Sequence, residues 1–271
     1  MNEGKSDVAV VVASCDEYSD IWPRFFEVWF RFWPDMPYPL YLISNRRTFP
    51  DKRVITLPVG DGLNWSQRIA RAFERVPQRH ILLSTEDFFL MEPVDTPRVL
   101  RLHNAMVAEE AVYLRMMANP PADLPHASEP DIGYVEKGAP YRNSLQLAFW
   151  DRAMMLGLLR PEESPWDFEM IGARRTDEIA APFLSVQNGV SPITYHNMLR
   201  RGKWNRDAIR DFAQLGISFD LGTRPVQNAF DVWWHTPSPS RRALSTCKRV
   251  VMSVLGRQSL PTSKPKVTPI A

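Results

Sequence analysis

The stretch HILLSTEDFFL, residues 80–90, constrains this chain more than any other. Ile81, Leu82 and Leu83 form a short apolar run, the length of a buried strand rather than a helix. Two small polar residues follow, Ser84 and Thr85, then the adjacent carboxylates Glu86 and Asp87, then Phe88 and Phe89. A buried strand ending in acids puts negative charge at the carboxyl edge of a sheet, where open α/β sheets bind their ligands. Neighbouring carboxylates repel, so both stay ionised only beside a cation. Hard oxygen donors suit Mg²⁺ or Mn²⁺ carrying a phosphorylated substrate. The competing reading is a loop whose acids are simply solvated.

The flanking pattern supports an α/β chain. Val8 to Ala13, VAVVVA, reads as the first central strand of a parallel sheet. The polar loop after it, Ser14 to Asp20, is either a ligand-binding loop or, through Ser19 or Asp20, the cap of the next helix. Trp22, Phe25, Phe26, Trp29 and Phe30 recur at helical spacing and predict a helix packed on the sheet. LYLIS (40–44) and VITL (54–57) predict two more strands, and Ser66 is placed to cap a helix reaching about Glu74. A helix from about Pro97 to Glu110 and a strand over Ala111–Met116 come next. The proline-rich stretch 119–140 predicts a long covering loop, and Tyr141–Trp150 a strand followed by a helix to Leu159. Ser164 caps a short helix with Pro165 at its first position. Val186–Tyr195 reads as a hairpin through Asn188-Gly189, and residues 206–214 as a closing helix. Strand and helix alternate, as an α/β domain requires.

Composition excludes several classes. The two cysteines, Cys15 and Cys247, are far apart and form neither a disulfide framework nor a zinc motif, which fits a reducing cytoplasm. Cys15, at a strand end, is either a nucleophile or a small buried side chain. The five histidines show no metal-ligand spacing. No GxSxG elbow, P-loop or GxGxxG occurs, and no apolar run has the length of a membrane span. From Val232 to Ala271 there are seven basic residues and no acid, leaving 26 basic against 31 acidic residues in the body. We therefore expect one domain over residues 7–231 and a separate basic tail over 232–271. An acidic body speaks against a nucleic-acid partner.

The segments VVVASCDEYSDIW, YPLYLISN, GLNWSQRI, LLSTEDFFL, YRNSLQLAFWDR, ESPWDFE and RGKW together resemble bacterial glycosyltransferases of surface-polysaccharide biosynthesis, which are similar to nucleotide-sugar transferases with the GT-A fold. The resemblance runs from about Val8 to Trp204. It implies a GT-A-like (Rossmann-like), mostly parallel sheet flanked by helices, with a nucleotide-sugar donor bound over the first strands. It also implies a divalent metal, Mn²⁺ or Mg²⁺, held by Glu86 and Asp87 in the place of an Asp-x-Asp motif. This chain departs from that motif, having adjacent acids followed by Phe88. Arg200, Arg201 and Lys203 are the cations that could neutralise a diphosphate instead, or they form a solvated basic turn.

Sugar transfer needs charge stabilisation on the departing diphosphate and a base for the acceptor hydroxyl. Glu169, beside Trp166 and Phe168, is the first candidate base and Asp167 the second; an acid there also complements the helix dipole. Asp16 and Tyr18, then Asn64 and Trp65, are candidates for nucleotide contacts, and Arg142 and Gln146 for contacts to the sugar. Each fits an ordinary scaffold role as well. The acceptor would be a hydroxyl of a growing polysaccharide or a lipid-linked glycan. In RRALSTCKRVVMSVL (241–255) the apolar residues share one helical face, as in a helix lying on the anionic inner surface of a membrane or packed on the body. Two further readings stay open: a nucleotidyltransferase, and a non-catalytic glycan- or lipid-binding protein on a transferase-like fold.

Overall fold

The computed structural model describes residues 6–229 and 231 of the 271-residue chain. The chain divides into two compact units, Met1–Pro225 and Val226–Ala271. Of the second, the described part is a short turn in which Asn228 and Asp231 exchange hydrogen bonds of 3.0 and 2.8 Å. The basic segment 241–255 lies outside the described residues.

The first unit is α/β, a large mostly parallel sheet flanked by helices. In chain order it comprises β1 (Val8–Ala13), α1 (Trp22–Phe32), β2 (Leu40–Ser44), β3 (Val54–Pro58), α2 (Trp65–Phe73), β4 (His80–Thr85), β5 (Phe88–Leu90) and α3 (Thr96–Ala108). Then come β6 (Tyr113–Arg115), β7 (Leu124–Pro125), β8 (Ile132–Tyr134), β9 (Ala148–Asp151), α4 (Arg152–Leu158), α5 (Pro165–Met170) and α6 (Gly172–Thr176). The unit ends with β10 (Phe183–Val186), β11 (Tyr195–Asn197), β12 (Leu199–Arg200), β13 (Lys203–Trp204) and α7 (Arg206–Gln214). The main sheet has the order β3-β2-β1-β4-β9-β6-β10-β8-β7, in which β8 and β9 run against the other strands.

Side chains alternate across a strand, and β1 shows what that does here. Val8, Val10 and Val12 pack on the face covered by α1, α3 and α7, while Ala9, Val11 and Ala13 pack on the face covered by α2, α4 and α5. With both faces covered, the strand is apolar throughout, as central parallel strands are. The aromatic stripe of α1 is core: Trp22, Phe25, Phe26 and Trp29 are buried, and Phe25 meets Phe89 edge to face at 5.4 Å.

Four local expectations are corrected. Helix α1 has Ile21 at its cap position and therefore no side-chain cap, and Asp20 is bonded to Arg224 instead. The cap of α2 is Asn64, whose side chain accepts from Gln67 N while the Gln67 side chain accepts from Asn64 N; Ser66 lies buried inside the helix. The strand expected over 141–150 begins only at Ala148. Residues 141–145 turn sharply, with Tyr141 at φ 57° and its carbonyl accepting from Ser144 N. No hairpin forms through Asn188-Gly189: they make a turn, but β10 pairs with β6 and β8, whereas β11 pairs with β5. The stretch 119–140 also carries two strands, β7 and β8, which extend the sheet. Among the described residues no helix is long and apolar enough to cross a membrane.

Candidate active site

Between β1 and β4 the order of strands reverses, which opens a crevice at their carboxyl ends where α/β sheets bind ligands. Register decides which loops gather there. Ala13 lies opposite Thr85 in parallel β1 and β4, so Ser14 and Glu86 leave the sheet side by side. Leu83 lies opposite Ala148 in antiparallel β4 and β9, so the residues just after Leu83 and those just before Ala148 share the same edge.

The acid pair sits at the centre of this edge. Glu86 is 8% exposed. Burial, and then the charge of Asp87, push its carboxyl up to about 8, with Arg68 and Arg224 pulling the other way. Asp87 keeps part of its surface in solvent although it is set deep among protein atoms. Burial raises its carboxyl too, and the Thr85 hydroxyl, donating at 2.6 Å, opposes the rise. Immediately after the pair, Phe88 stacks on Tyr195 at 4.5 Å, and the Tyr195 hydroxyl donates to the Gln146 side-chain oxygen.

The first loop is tied down on both sides. The Asp16 carboxylate accepts from the main-chain N–H groups of Asn45, Arg46 and Arg47 at 3.0–3.3 Å. The Asn45 side chain in turn accepts from Asp16 N and donates to Gly60 O. The loops after β1, β2 and β3 are thereby linked into one block. Tyr18 lies under the Arg224 guanidinium, 4.7 Å from ring to cation, and its hydroxyl is raised by burial and by Glu86. Arg224 also donates to Asp20 at 2.6 and 2.9 Å and to the carbonyl of Glu17 at 2.5 Å.

Opposite that block, α2 and α5 meet. Asn64 caps α2 and donates to Pro161 O; Trp65 packs against Phe168 with ring centroids 5.5 Å apart. Phe168 is buried and holds α5 in place, so Glu169 is delivered to the edge. One Glu169 oxygen accepts from the Ser144 hydroxyl at 3.0 Å and from Leu145 N at 2.6 Å. Asp167 is committed to its own helix, accepting from Ser164 N at 3.0 Å and the Ser164 hydroxyl at 2.6 Å, bonds that hold its carboxyl below the usual range.

The loop that offers Ser144 is braced from below by Arg115, a fully buried cation without a carboxylate partner among the described residues. Its guanidinium donates to the Tyr113 hydroxyl at 3.2 Å, to Tyr141 O at 2.8 Å and to Pro120 O. The Tyr113 hydroxyl donates onward to Ser144 O at 2.8 Å.

The structure thus brings Tyr18, Glu86, Asp87, Gln146 and Glu169 to one edge, with Asn64 and Trp65 on the wall beside them. Arg142 goes elsewhere. It is 3% exposed, stacked over Phe183 at 4.1 Å and bonded to the carbonyls of Val135 and Thr176. Arg200 and Arg201 are exposed at the tip of the β12–β13 hairpin and Lys203 is half-buried. That hairpin follows Met198, whose N–H donates to the Asp87 carbonyl at 2.8 Å.

Sequence reading missed Arg68, Ser144, Tyr195, Arg224 and Arg115. Arg115 left a signal, a cation closing the otherwise apolar run AVYLRM. Arg68 left another, one helical turn beyond the cap Asn64. Tyr195 and Arg224 left none, being joined to the site by long-range contacts alone. As a test of metal fit, Glu86 and Asp87 supply hard oxygen donors whose repulsion a divalent cation would relieve. No third acid, His or Cys joins them to make a protein-only cage among the described residues. Such a pair suits a cation shared with a phosphate ligand.

No protein-family model and no curated protein sequence matches the chain. Solved structures with a similar chain path include the 1-349 fragment of S. aureus TarS in complex with UDP-GlcNAc. The TM-score is 0.47 and the identity 10%, covering 73% of this chain and 60% of that one. A cytidylyltransferase from Leptospira borgpetersenii aligns with a TM-score of 0.41 at 11% identity, covering 70% of this chain and 81% of that one. A197 from STIV aligns with a TM-score of 0.37 at 13% identity, covering 71% and 86%.

Proposed function

We propose that the chain is a nucleotide-sugar-dependent glycosyltransferase that moves a sugar onto a hydroxyl of a polysaccharide or lipid-linked glycan. The observation that carries this reading is the meeting, at the β1/β4 crevice, of a buried acid pair and a separately held carboxylate, Glu169. Arg68 and Arg224, together with a divalent cation held on the acid pair, would meet the needs of a diphosphate. Glu169 meets the need for a base.

In the proposed reaction the acceptor hydroxyl gives its proton to Glu169 as its oxygen bonds to the anomeric carbon. The bond from that carbon to the diphosphate oxygen breaks, and its electron pair leaves with the nucleoside diphosphate. Ser144 and Leu145 hold one Glu169 oxygen and leave the other to take the proton. Arg68 and Arg224, already acting on Glu86, oppose the charge gathering on the leaving group. A divalent cation on Glu86 and Asp87 would add charge neutralisation at the same place.

The test is a thermal-shift panel of UDP-, GDP-, CMP- and dTDP-sugars, each with and without Mn²⁺. A donor at a hundredfold excess over its Kd stabilises the fold by about 2.7 kcal/mol, so one selective hit is readable. A donor shift accompanied by release of the nucleoside diphosphate on adding acceptor glycans supports the reading. Selective stabilisation by nucleoside triphosphates with release of pyrophosphate would replace it with nucleotidyl transfer.

A further inference from the structure

Trp166 is 72% exposed, the most exposed of the chain's large apolar side chains among the described residues. It stands on α5 three residues before Glu169, and residues at that spacing are neighbours on a helix surface. Met170, the next neighbour on the same face, is 47% exposed. An indole left in water costs free energy, and folding alone gives no reason for it here: α5 is already anchored by Phe168, and its cap is made by Ser164 and Asp167.

We infer that Trp166 is a stacking platform for a neutral sugar ring of the acceptor, seated so that a hydroxyl of that ring reaches Glu169. This rests on the glycosyltransferase reading and names the acceptor side of the same site. Two features select a sugar over other occupants. The flat indole offers an apolar plane to the C–H face of a pyranose, while the Glu169 carboxylate, one turn along, accepts from a hydroxyl at the ring's edge. Acids outnumber bases on the segments around the indole, with Glu162, Asp167 and Glu169 against the exposed Arg160 and Arg174. That excess disfavours an anionic lipid surface or a polyanion and leaves a neutral polyol acceptable.

The experiment uses the full chain, wild type and Trp166→Ala and Trp166→Phe variants. Each is measured for retention on an array of neutral bacterial oligosaccharides, for co-sedimentation with phosphatidylglycerol vesicles, and for thermal shift with the donor panel. Because Trp166 is exposed, neither substitution should disturb folding. We expect Trp166→Ala to weaken glycan retention about tenfold or more, Trp166→Phe to keep most of it, and the donor shifts to stay unchanged in both. Equal retention by wild type and Trp166→Ala, or no retention by wild type, overturns the platform. So does vesicle binding that depends on Trp166. A platform that holds glycan while no donor shifts the protein would leave the stacking site standing and remove the transferase reading. Donor shifts without glycan retention would do the reverse.

Discussion

His103 Nε2 lies 3.1 Å from His80 Nδ1 inside the core, at the end of β4 opposite the crevice. The two rings share one hydrogen bond, so one of them must be neutral, and burial favours neutrality in both. His103 is pushed down to about 4 by burial and by His80. His80 is lowered by burial and by Arg79, with Asp7 and Asp151 opposing. In the unfolded chain both would take up protons near 6.5. The pair's own contribution to stability should therefore be complete above pH 6.5 and be lost as the pH falls from there toward 4, with about 3 kcal/mol at stake in His103. Thermal melts at pH 7 and pH 5 should show that lowering the pH costs the wild type more stability than it costs His103→Leu. An equal loss in the variant would show that the pair is not responsible.

Glu86 carries the opposite sign. Its folded carboxyl titrates at about 8 rather than in the usual carboxylate range, because burial and Asp87 disfavour its charge. The folded state therefore holds a proton that the unfolded state releases, and stability falls as pH rises from about 4.5 through 8. Glu86→Gln removes that loss. The variant should melt higher than wild type at pH 8.5 and about equally at pH 4.5. A variant that melts lower at pH 8.5 would mean that the ionised carboxylate is already paired in the native state.

Glu169→Gln keeps an acceptor oxygen for Ser144 and Leu145 but cannot take a proton. Transfer should fall by about 10²- to 10⁴-fold while donor-induced thermal shifts persist. Turnover at the wild-type rate would remove Glu169 from the chemistry.

Asp16→Ala strips the shared acceptor from three main-chain N–H groups in the loop after β2. Because the site is only half-buried, water takes over part of the role, and the expected cost is about 1–2 kcal/mol. Hydrogen exchange should quicken at Asn45, Arg46 and Arg47 and spread to Gly60 through the Asn45 side chain. Faster exchange confined to Asp16 itself would contradict the linked-loop account.

The central strands were legible in the sequence because burial on both faces leaves a simple record. VAVVVA and LYLIS coincide with β1 and β2, and the aromatic spacing of α1 gave away its buried face. The acid pair was legible for the same reason, as a break in an apolar run. Residues 141–147 were not. Their alternation looks like a strand, yet the chain there follows Arg115 and Glu169, which claim the carbonyl of Tyr141 and the N–H of Leu145. Likewise Asn188-Gly189 makes its turn, but which strands flank it was decided by the partners available to Phe183 and Tyr195 far along the chain. Local chemistry spoke for itself; pairing across dozens of residues did not.

Strand β9 enters the sheet from the crevice edge and runs against both β4 and β6. The segment that presents Ser144 and Gln146 therefore flows straight into a strand clasped on its two sides, rather than hanging from the fold as a free loop. Descendants of such a chain could lengthen or vary the exposed tip of the β12–β13 hairpin, at Arg200 and Arg201, with little harm to the rest. Altering the floor under Glu169 would mean re-registering the middle of the sheet. Sequence change is thus steered toward the rim, and the seat of the Glu169 carboxylate is inherited along with the architecture itself.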